Sequence, residues 1–277
     1  MTPTTLSEAR ELAAQALAPD APAYEVLAIR YGTRMTTRGA CYVDDGRLDD
    51  PDAPLGMDYF FWLLRGDAGT ILVDTGFDPA VGERRGRTTL VTPAEALDRL
   101  GVSTEQIHLL VLTHLHYDHS GNVRTVPEAE LLVQERDLEF WEGPGSEGEH
   151  AVHVEPDELR EVGEHDLTLL DGGAIVAPGV AAILVGGHSP GQQALVVNGV
   201  ERPVLLASDA VHYYEELERR LPFAIYVDLD EMRAGYELLA ALARETGAVL
   251  VPGHDPAVAE RFPPLSRELA GIAVRLA

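Results

Sequence analysis

The 277 residues carry 46 Asp plus Glu against 21 Lys plus Arg, a formal net charge of −25, with 45% hydrophobic content. That charge repels nucleic acid and anionic lipid, which argues against a nuclease or a membrane-surface protein. All 21 basic residues are arginine and Cys41 is the one cysteine, which excludes lysine Schiff-base chemistry, an intramolecular disulfide and a multi-thiolate metal cluster. The apolar content suffices for one sizeable core, so a single domain over 1–277 is expected, with an N-terminal helical extension to about residue 20. No charged-then-apolar segment opens the chain and no run approaches membrane-spanning length, so the expected location is cytoplasmic.

Thr5 with Glu8 three residues on has the form of a capping box, and Leu6, Ala9, Leu12, Ala13, Ala16 and Leu17 recur at helical spacing. This predicts an amphipathic helix ending before Pro19. Its polar face is not basic, so it is expected to pack on the body or on a second copy of the chain rather than on a membrane. A strand is predicted over 24–31, then a long Gly-, Asp- and Pro-rich loop over 32–56; its arginines and Met57 could wall a pocket, or it could be a solvated insertion. Runs at 59–64 and 70–73 read as strands joined by a Gly-Asp-Ala-Gly turn. The second leads into Asp74-Thr75-Gly76, where the carboxylate is expected to hold a ligand histidine from behind. Thr92, Pro93 and Glu95 open a helix that Gly101 stops, and Ser103 with Gln106 repeats the capping pattern in one short turn.

The apolar run 107–112 reads as a buried strand. It ends in Thr113-His114-Leu115-His116-Tyr117-Asp118-His119, which brings together imidazoles and a carboxylate, the ligand types of zinc and related first-row divalent ions. On extended backbone His114 and His116 fall on one side and can share one ion. Asp118 and His119 point differently and can address a second position nearby. Beyond the motif, 129–133 reads as a strand and 135–141 as a short helix. The acidic stretch to 166 holds His150, His153 and His165, read as surface histidines because no ligand-like spacing or apolar strand frames them. Segment 143–150 is a candidate lid.

Later strand ends carry the same chemistry. Run 180–185 ends in Gly186-Gly187-His188-Ser189-Pro190-Gly191. Runs 193–197 and 204–207 form a hairpin whose second strand ends at Ser208-Asp209, and 248–251 leads into Pro252-Gly253-His254-Asp255. His114, His116, His119, His188 and His254 with Asp118 and Asp209 are together the inventory of a two-metal site. Strands and helices alternating ahead of polar strand ends are how α/β folds build sites at one edge of a sheet. After Phe262 a short helix is expected, with Leu265, Leu269, Ile272 and Leu276 at helical spacing.

His114-Leu115-His116-Tyr117-Asp118-His119 matches the H-x-H-x-D-H signature of the metallo-β-lactamase-fold hydrolases, and His188, Asp209 and His254 follow in that family's order. The chain resembles this family from about Tyr59 to His254. The resemblance implies an α/β fold, a four-layered αβ/βα sandwich of two mixed β-sheets between helices, with a dinuclear centre at the sheets' edge. It implies that His114, His116 and His188 bind one metal and Asp118, His119 and His254 the other, with Asp209 bridging. Two Zn2+ ions are the default, and Fe, Mn or Co would accept the same ligands.

Within the family the chain is most similar to N-acyl homoserine lactonases, through Tyr117, Gly187-His188-Ser189-Pro190-Gly191-Gln192-Gln193, Ser208-Asp209-Ala210, Leu221-Pro222-Phe223-Ala224 and Gly253-His254-Asp255. Where those enzymes resemble one another in a tyrosine three residues past the bridging aspartate, this chain has His212, followed by Tyr213. The implied activity is a quorum-quenching lactonase, a carboxylic ester hydrolase in which a metal-bridging hydroxide attacks the carbonyl of an N-acyl homoserine lactone. His212 or Tyr213 would donate to the oxyanion, and Asp209 or Asp118 would carry the proton to the leaving alkoxide. Hydrolysis of another lactone, ester or thioester is the alternative within enzymes; a metal-binding or partner-binding protein retaining the fold is the alternative outside them. True β-lactamases of the fold are set aside by His119 and Asp209, redox di-iron relatives by His116, and the glyoxalase II type by the short stretch after Phe262. The expected partner is a small-molecule lactone or ester, with no nucleic acid and no membrane; the N-terminal helix and the 32–56 loop are candidate homodimer surfaces.

Overall fold

The computed structural model describes residues 2–44 and 46–277. Its first sheet holds β1 (Glu25–Thr37), β2 (Pro54–Gly66), β3 (Gly69–Val73), the two-residue β4 (Thr88–Thr89), β5 (Ile107–Val111), β6 (Glu130–Gln134) and β7 (Leu167–Leu170). The second holds β8 (Ala174–Ala177), β9 (Val180–Leu184), β10 (Gln193–Val197), β11 (Val204–Ser208) and β12 (Val249–Pro252), and β13 (Ala273–Arg275) returns to the first. The first sheet runs β13-β1-β2-β3-β5-β6-β7, antiparallel as far as β3 and parallel from β3 to β7, with β4 beside β1. The second runs β12-β11-β10-β9-β8, with β11 and β12 as its parallel pair.

The central strands, such as β5, β9, β10 and β11, are buried on both faces, and the period of two divides their side chains between two cores. Val26, Ala28, Phe60, Trp62 and Leu64 meet Leu195, Val197, Leu206 and Val251 between the sheets. Their neighbours Leu27, Ile29, Phe61 and Leu63 face outward and pack with Ala96 and Leu97 of the helix Pro93–Arg99. On the second sheet Ala181, Ile183 and Val196 pack with Ala9 and Ala13 of the helix Leu6–Ala16 and with Leu239 and Leu242 of the helix Leu229–Thr246. Two mixed sheets therefore lie face to face between helices, the four-layered α/β arrangement that the resemblance implies. The capping boxes at Thr5 and Thr92 form as predicted, and Thr4 ties the first helix to β9 through Leu184.

The long loop expected over 32–56 is hairpin arm at both of its ends. Residues 32–37 extend β1 and pair in register with 54–59 of β2, so the loop proper is confined to 38–53 and contains the short helix Arg38–Cys41. The bulge between Arg30 and Gly32 breaks the alternation, which hid the strand's continuation. The expected C-terminal helix does not form either: β13 covers the edge of β1, with Leu276 in the inter-sheet core while Leu265, Leu269 and Ile272 pack in the other. Pairing to an open strand edge outweighs one short helical period. No helix among the described residues is long and apolar enough to cross a membrane.

One carboxyl is packed without compensation. Glu158, in the helix Pro156–Gly163, is 6% exposed, and neither of its oxygens has a partner among the described residues. Burial first, then the charges of Glu155, Asp78 and Glu161, push it up to about 8. The folded chain thus holds a proton that the unfolded chain releases near the usual carboxylate range, so this residue's contribution to stability is full at acid pH and falls as pH rises toward about 8. Glu158→Gln is expected to raise Tm at pH 8 and leave it nearly unchanged at pH 4.5; an equal shift at both values would contradict this reading.

Candidate metal centre

Four strand ends converge at one edge of the sandwich, each for a local reason. After β5 the chain stays extended through His116 and then turns into the short helix Tyr117–Ser120, which redirects Asp118 and His119. His188 follows β9 on a turn where Gly187 is left-handed at φ 83°, and a Cβ there would come within 2.4 Å of the Met232 backbone. Asp209 follows β11 after Ser208, a non-glycine at φ 47°, and His254 follows β12 after Gly253, whose missing Cβ leaves room for the Asp209 carboxylate. His114, His116, His119, His188, His254, Asp118 and Asp209 are all buried.

Their donor atoms form interlocking groups. Those of His114, His116 and His188 lie within 4.8 Å of one another, and so do those of Asp118, His119 and His254. Asp209 reaches both groups: Oδ1 is 3.2 Å from His119 Nε2, and Oδ2 is 3.1 Å from His254 Nε2 and 3.4 Å from His188 Nε2. Among the described residues the Nε2 atoms of His114, His116 and His119, and Oδ1 of Asp209, make no hydrogen bond despite being buried, the 3.2 Å approach of the last two being an ion-pair distance only. Such orphaned donors and acceptors, clustered and converging, are what a cation would satisfy. Burial and the neighbouring imidazoles hold His114, His116 and His188 well below the usual range, so they are neutral with lone pairs to offer. Burial opposes ionisation of Asp209, but His254, His119 and His212 outweigh it and hold the carboxylate well below its ordinary range.

The supporting contacts orient these side chains. Asp74 Oδ2 lies 2.7 Å from His119 Nδ1, while the same carboxylate accepts from the Thr113 backbone at 2.7 Å and from its hydroxyl at 2.8 Å. His188 Nδ1 lies 2.9 Å from the Ile225 carbonyl and His254 Nδ1 2.8 Å from that of Asp58, which turns both Nε2 atoms inward. Asp137 accepts from Leu115 N and Gly191 N, at 2.7 and 2.8 Å, and from the Ser189 hydroxyl. It thereby clamps the turn that carries His114 and His116 to the turn after His188.

A cavity of about 200 Å³ opens over the cluster. His212 faces it, with Nε2 3.1 Å from Asp209 Oδ2 and its ring stacked on Phe223 at 3.6 Å between centroids. Burial pulls its basicity down, but Asp209 and Glu216 raise it to about 9. Tyr213 does not reach the cavity: its buried hydroxyl donates to the Gly56 carbonyl at 3.1 Å, because alternation along the chain sends it to the opposite side from His212. His153, read from sequence as a surface residue, instead lines the cavity with its ring 5.1 Å from His116, brought there by a turn that has no periodic signature. His150 and His165 are outside the lining. Also unforeseen were Asp137, Tyr59 and the Arg85–Arg87 pair; Arg84-Arg85-Gly86-Arg87 is a dense basic run in an acidic chain and was the available signal.

The profile of the Metallo-beta-lactamase superfamily matches residues 58–254. An N-acyl homoserine lactonase of Bacillus thuringiensis is 26% identical over 236 residues, covering 78% of this chain and 90% of the relative. A probable metallo-hydrolase of Mycobacterium tuberculosis is 27% identical over 231 residues, covering 70% and 73%. Among solved structures, a quorum-quenching N-acyl homoserine lactone lactonase superposes with a TM-score of 0.71 at 23% identity, over 85% of this chain and 94% of that one. A dizinc quorum-quenching lactonase gives 0.68 at 18% identity, over 86% and 92%.

Asp74 does not line the cavity over the cluster, and its carboxylate holds His119 and Thr113. Asp74→Asn is expected to weaken divalent-metal retention about 10–100-fold, read by competition with a chelator; unchanged retention would contradict the orienting role.

Proposed function

The chain belongs to the metallo-beta-lactamase superfamily, and from that premise we propose that this metal-dependent hydrolase opens lactone rings at a two-metal centre. N-acyl homoserine lactones are the finer reading, supported by the likeness to lactonases of that name. The observation that carries the proposal is the Asp209 carboxylate set between two groups of buried, inward-facing imidazoles, of which His114, His116 and His119 have no hydrogen-bond partner at Nε2 among the described residues. In it, His114, His116 and His188 would hold one ion and Asp118, His119 and His254 the second, with Asp209 placed to serve both groups, Zn2+ first and Fe, Mn or Co compatible with the same donors. Ions bound there supply Lewis-acid polarisation of the carbonyl and an acidified water as nucleophile.

The chain's own residues do the rest. His212, held flat against Phe223 with its ring at the cavity, presents an imidazole N–H for the developing oxyanion. Tyr213 instead fixes the hairpin arm at Gly56. Asp118 borders the cavity and can pass a proton to the departing ring oxygen, whereas the oxygens of Asp209 are surrounded by imidazoles. In sum, water adds to the acyl carbon, the ring C–O bond breaks, the former ring oxygen leaves as a hydroxyl, and the new carboxylate releases one proton to solution. Phe223 and Ile225 give the cavity an apolar wall on the His188 side.

The released proton makes the test direct: base consumption at constant pH with N-acyl homoserine lactones, simple lactones, esters and thioesters, with metal content measured on the same sample. Lactone opening at about two metals per chain is expected. Turnover of esters or thioesters without any lactone would replace the reading. Asp209→Ala should lose both metal and activity, and His212→Gln should lower kcat about 10²–10³-fold with metal retained; full turnover in either would remove the role given to that residue.

A further inference from the structure

The cavity has a second wall unlike the apolar one. On the side of Asp118 and His254 it is made by Arg34, Arg87, Tyr59 and Tyr117. Most arginines of this acidic chain are ion-paired, and Arg85, beside the cavity, is bound to Glu155 at 2.7 Å. Arg34 and Arg87 are different. Arg34 donates to the Met57 sulfur at 3.2 Å, and Arg87 donates to the Tyr117 hydroxyl at 2.8 Å and to the Arg85 carbonyl. Among the described residues neither forms an ion pair with a carboxylate, in a chain with 46 Asp plus Glu to draw on. Between them and the metal cluster lies Tyr59, ring edge against His254 at 4.9 Å, whose buried hydroxyl has no partner among the described residues.

Two partly buried guanidinium groups with no carboxylate ion pair among the described residues, Asp118 acting on Arg87 only at longer range, and an orphaned phenol thus face the same small cavity. Guanidinium forks match carboxylates in geometry as well as charge. A neutral ring compound would bring no charge to the two guanidinium groups, whose present acceptors are a sulfur, a phenol and a carbonyl. We propose that Arg34, Arg87 and the Tyr59 hydroxyl bind a carboxylate carried by the substrate, so that the preferred substrate is an anionic lactone rather than a neutral one. The scissile carbonyl then lies over the metal cluster, with the apolar part of the ring toward Phe223 and Ile225. This deepens the lactonase reading and rests on it for the position of the carbonyl. A cavity of about 200 Å³ suits such a compact substrate, being smaller than the roughly 300–1,000 Å³ of drug-sized sites.

The test compares γ-butyrolactone bearing a carboxylate on the carbon beside the ring oxygen with its neutral primary amide, on the metal-loaded enzyme. The carboxylate is expected to have kcat/KM about tenfold or more above the amide, mainly through KM, and Arg34→Gln or Arg87→Gln should each move that ratio toward one. A wild-type ratio at or below one overturns the proposal and leaves lactone opening intact. Binding is read separately by calorimetry with glutarate and butyrate, which share one carboxylate for the metals. Glutarate binding about tenfold tighter, with the difference lost in Arg34→Gln, supports the anion site even if neither lactone is opened, in which case the lactonase reading fails alone. Equal affinities for the two acids overturn the proposal.

Discussion

A single buried carboxylate, ringed by imidazoles, is the constraint around which the site is arranged. Asp209 lies within 3.1–3.4 Å of ring nitrogens from His119, His188, His212 and His254, which come from separate parts of the chain. Gathering so many titratable groups away from water is costly unless their charges and lone pairs are answered. The backbone is bent to meet that need, with Ser208 in a left-handed conformation just before the aspartate and Gly253 leaving no side chain in its way. The sheets supply the rest: strands buried on both faces hold their ends rigidly, so the turns beyond them can carry the ligands with little freedom.

Around that centre the polarity of the cavity changes with direction. Phe223 and Ile225 flank His188 and His212, whereas arginines and tyrosines flank Asp118 and His254. The chain carries a formal net charge of −25, so anions are repelled at long range and must be recognised at contact. Cationic donors confined to a small cavity achieve that without making the protein a general binder of polyanions. Overall charge therefore bears on nucleic acid and lipid, but not on the charge of a small substrate.

The candidate ligands that the structure brings together were legible in the sequence because their signals are local. His114, His116, Asp118 and His119 are contiguous, and His188, Asp209 and His254 each end an apolar run. Asp74, predicted to stand behind a ligand histidine, does contact His119. Asp137, Tyr59, Arg34 and Arg87 act across distances in sequence that no period or spacing encodes, although Arg34 and Met57 fall in the stretch that was read as a wall for a pocket. Tyr213 was misjudged beside His212 because adjacent side chains on an extended backbone point apart. In the fold, the helix starts were read from capping chemistry, while β13 and the far arm of β1 depend on partners distant in sequence.

The most direct measurement of the central claim is anomalous diffraction from crystals of the protein loaded with zinc, recorded on both sides of the zinc edge. The account predicts two peaks about 3.5–4 Å apart, one against His114, His116 and His188, the other against Asp118, His119 and His254, with Asp209 touching both. A single peak, or peaks away from these residues, would contradict it.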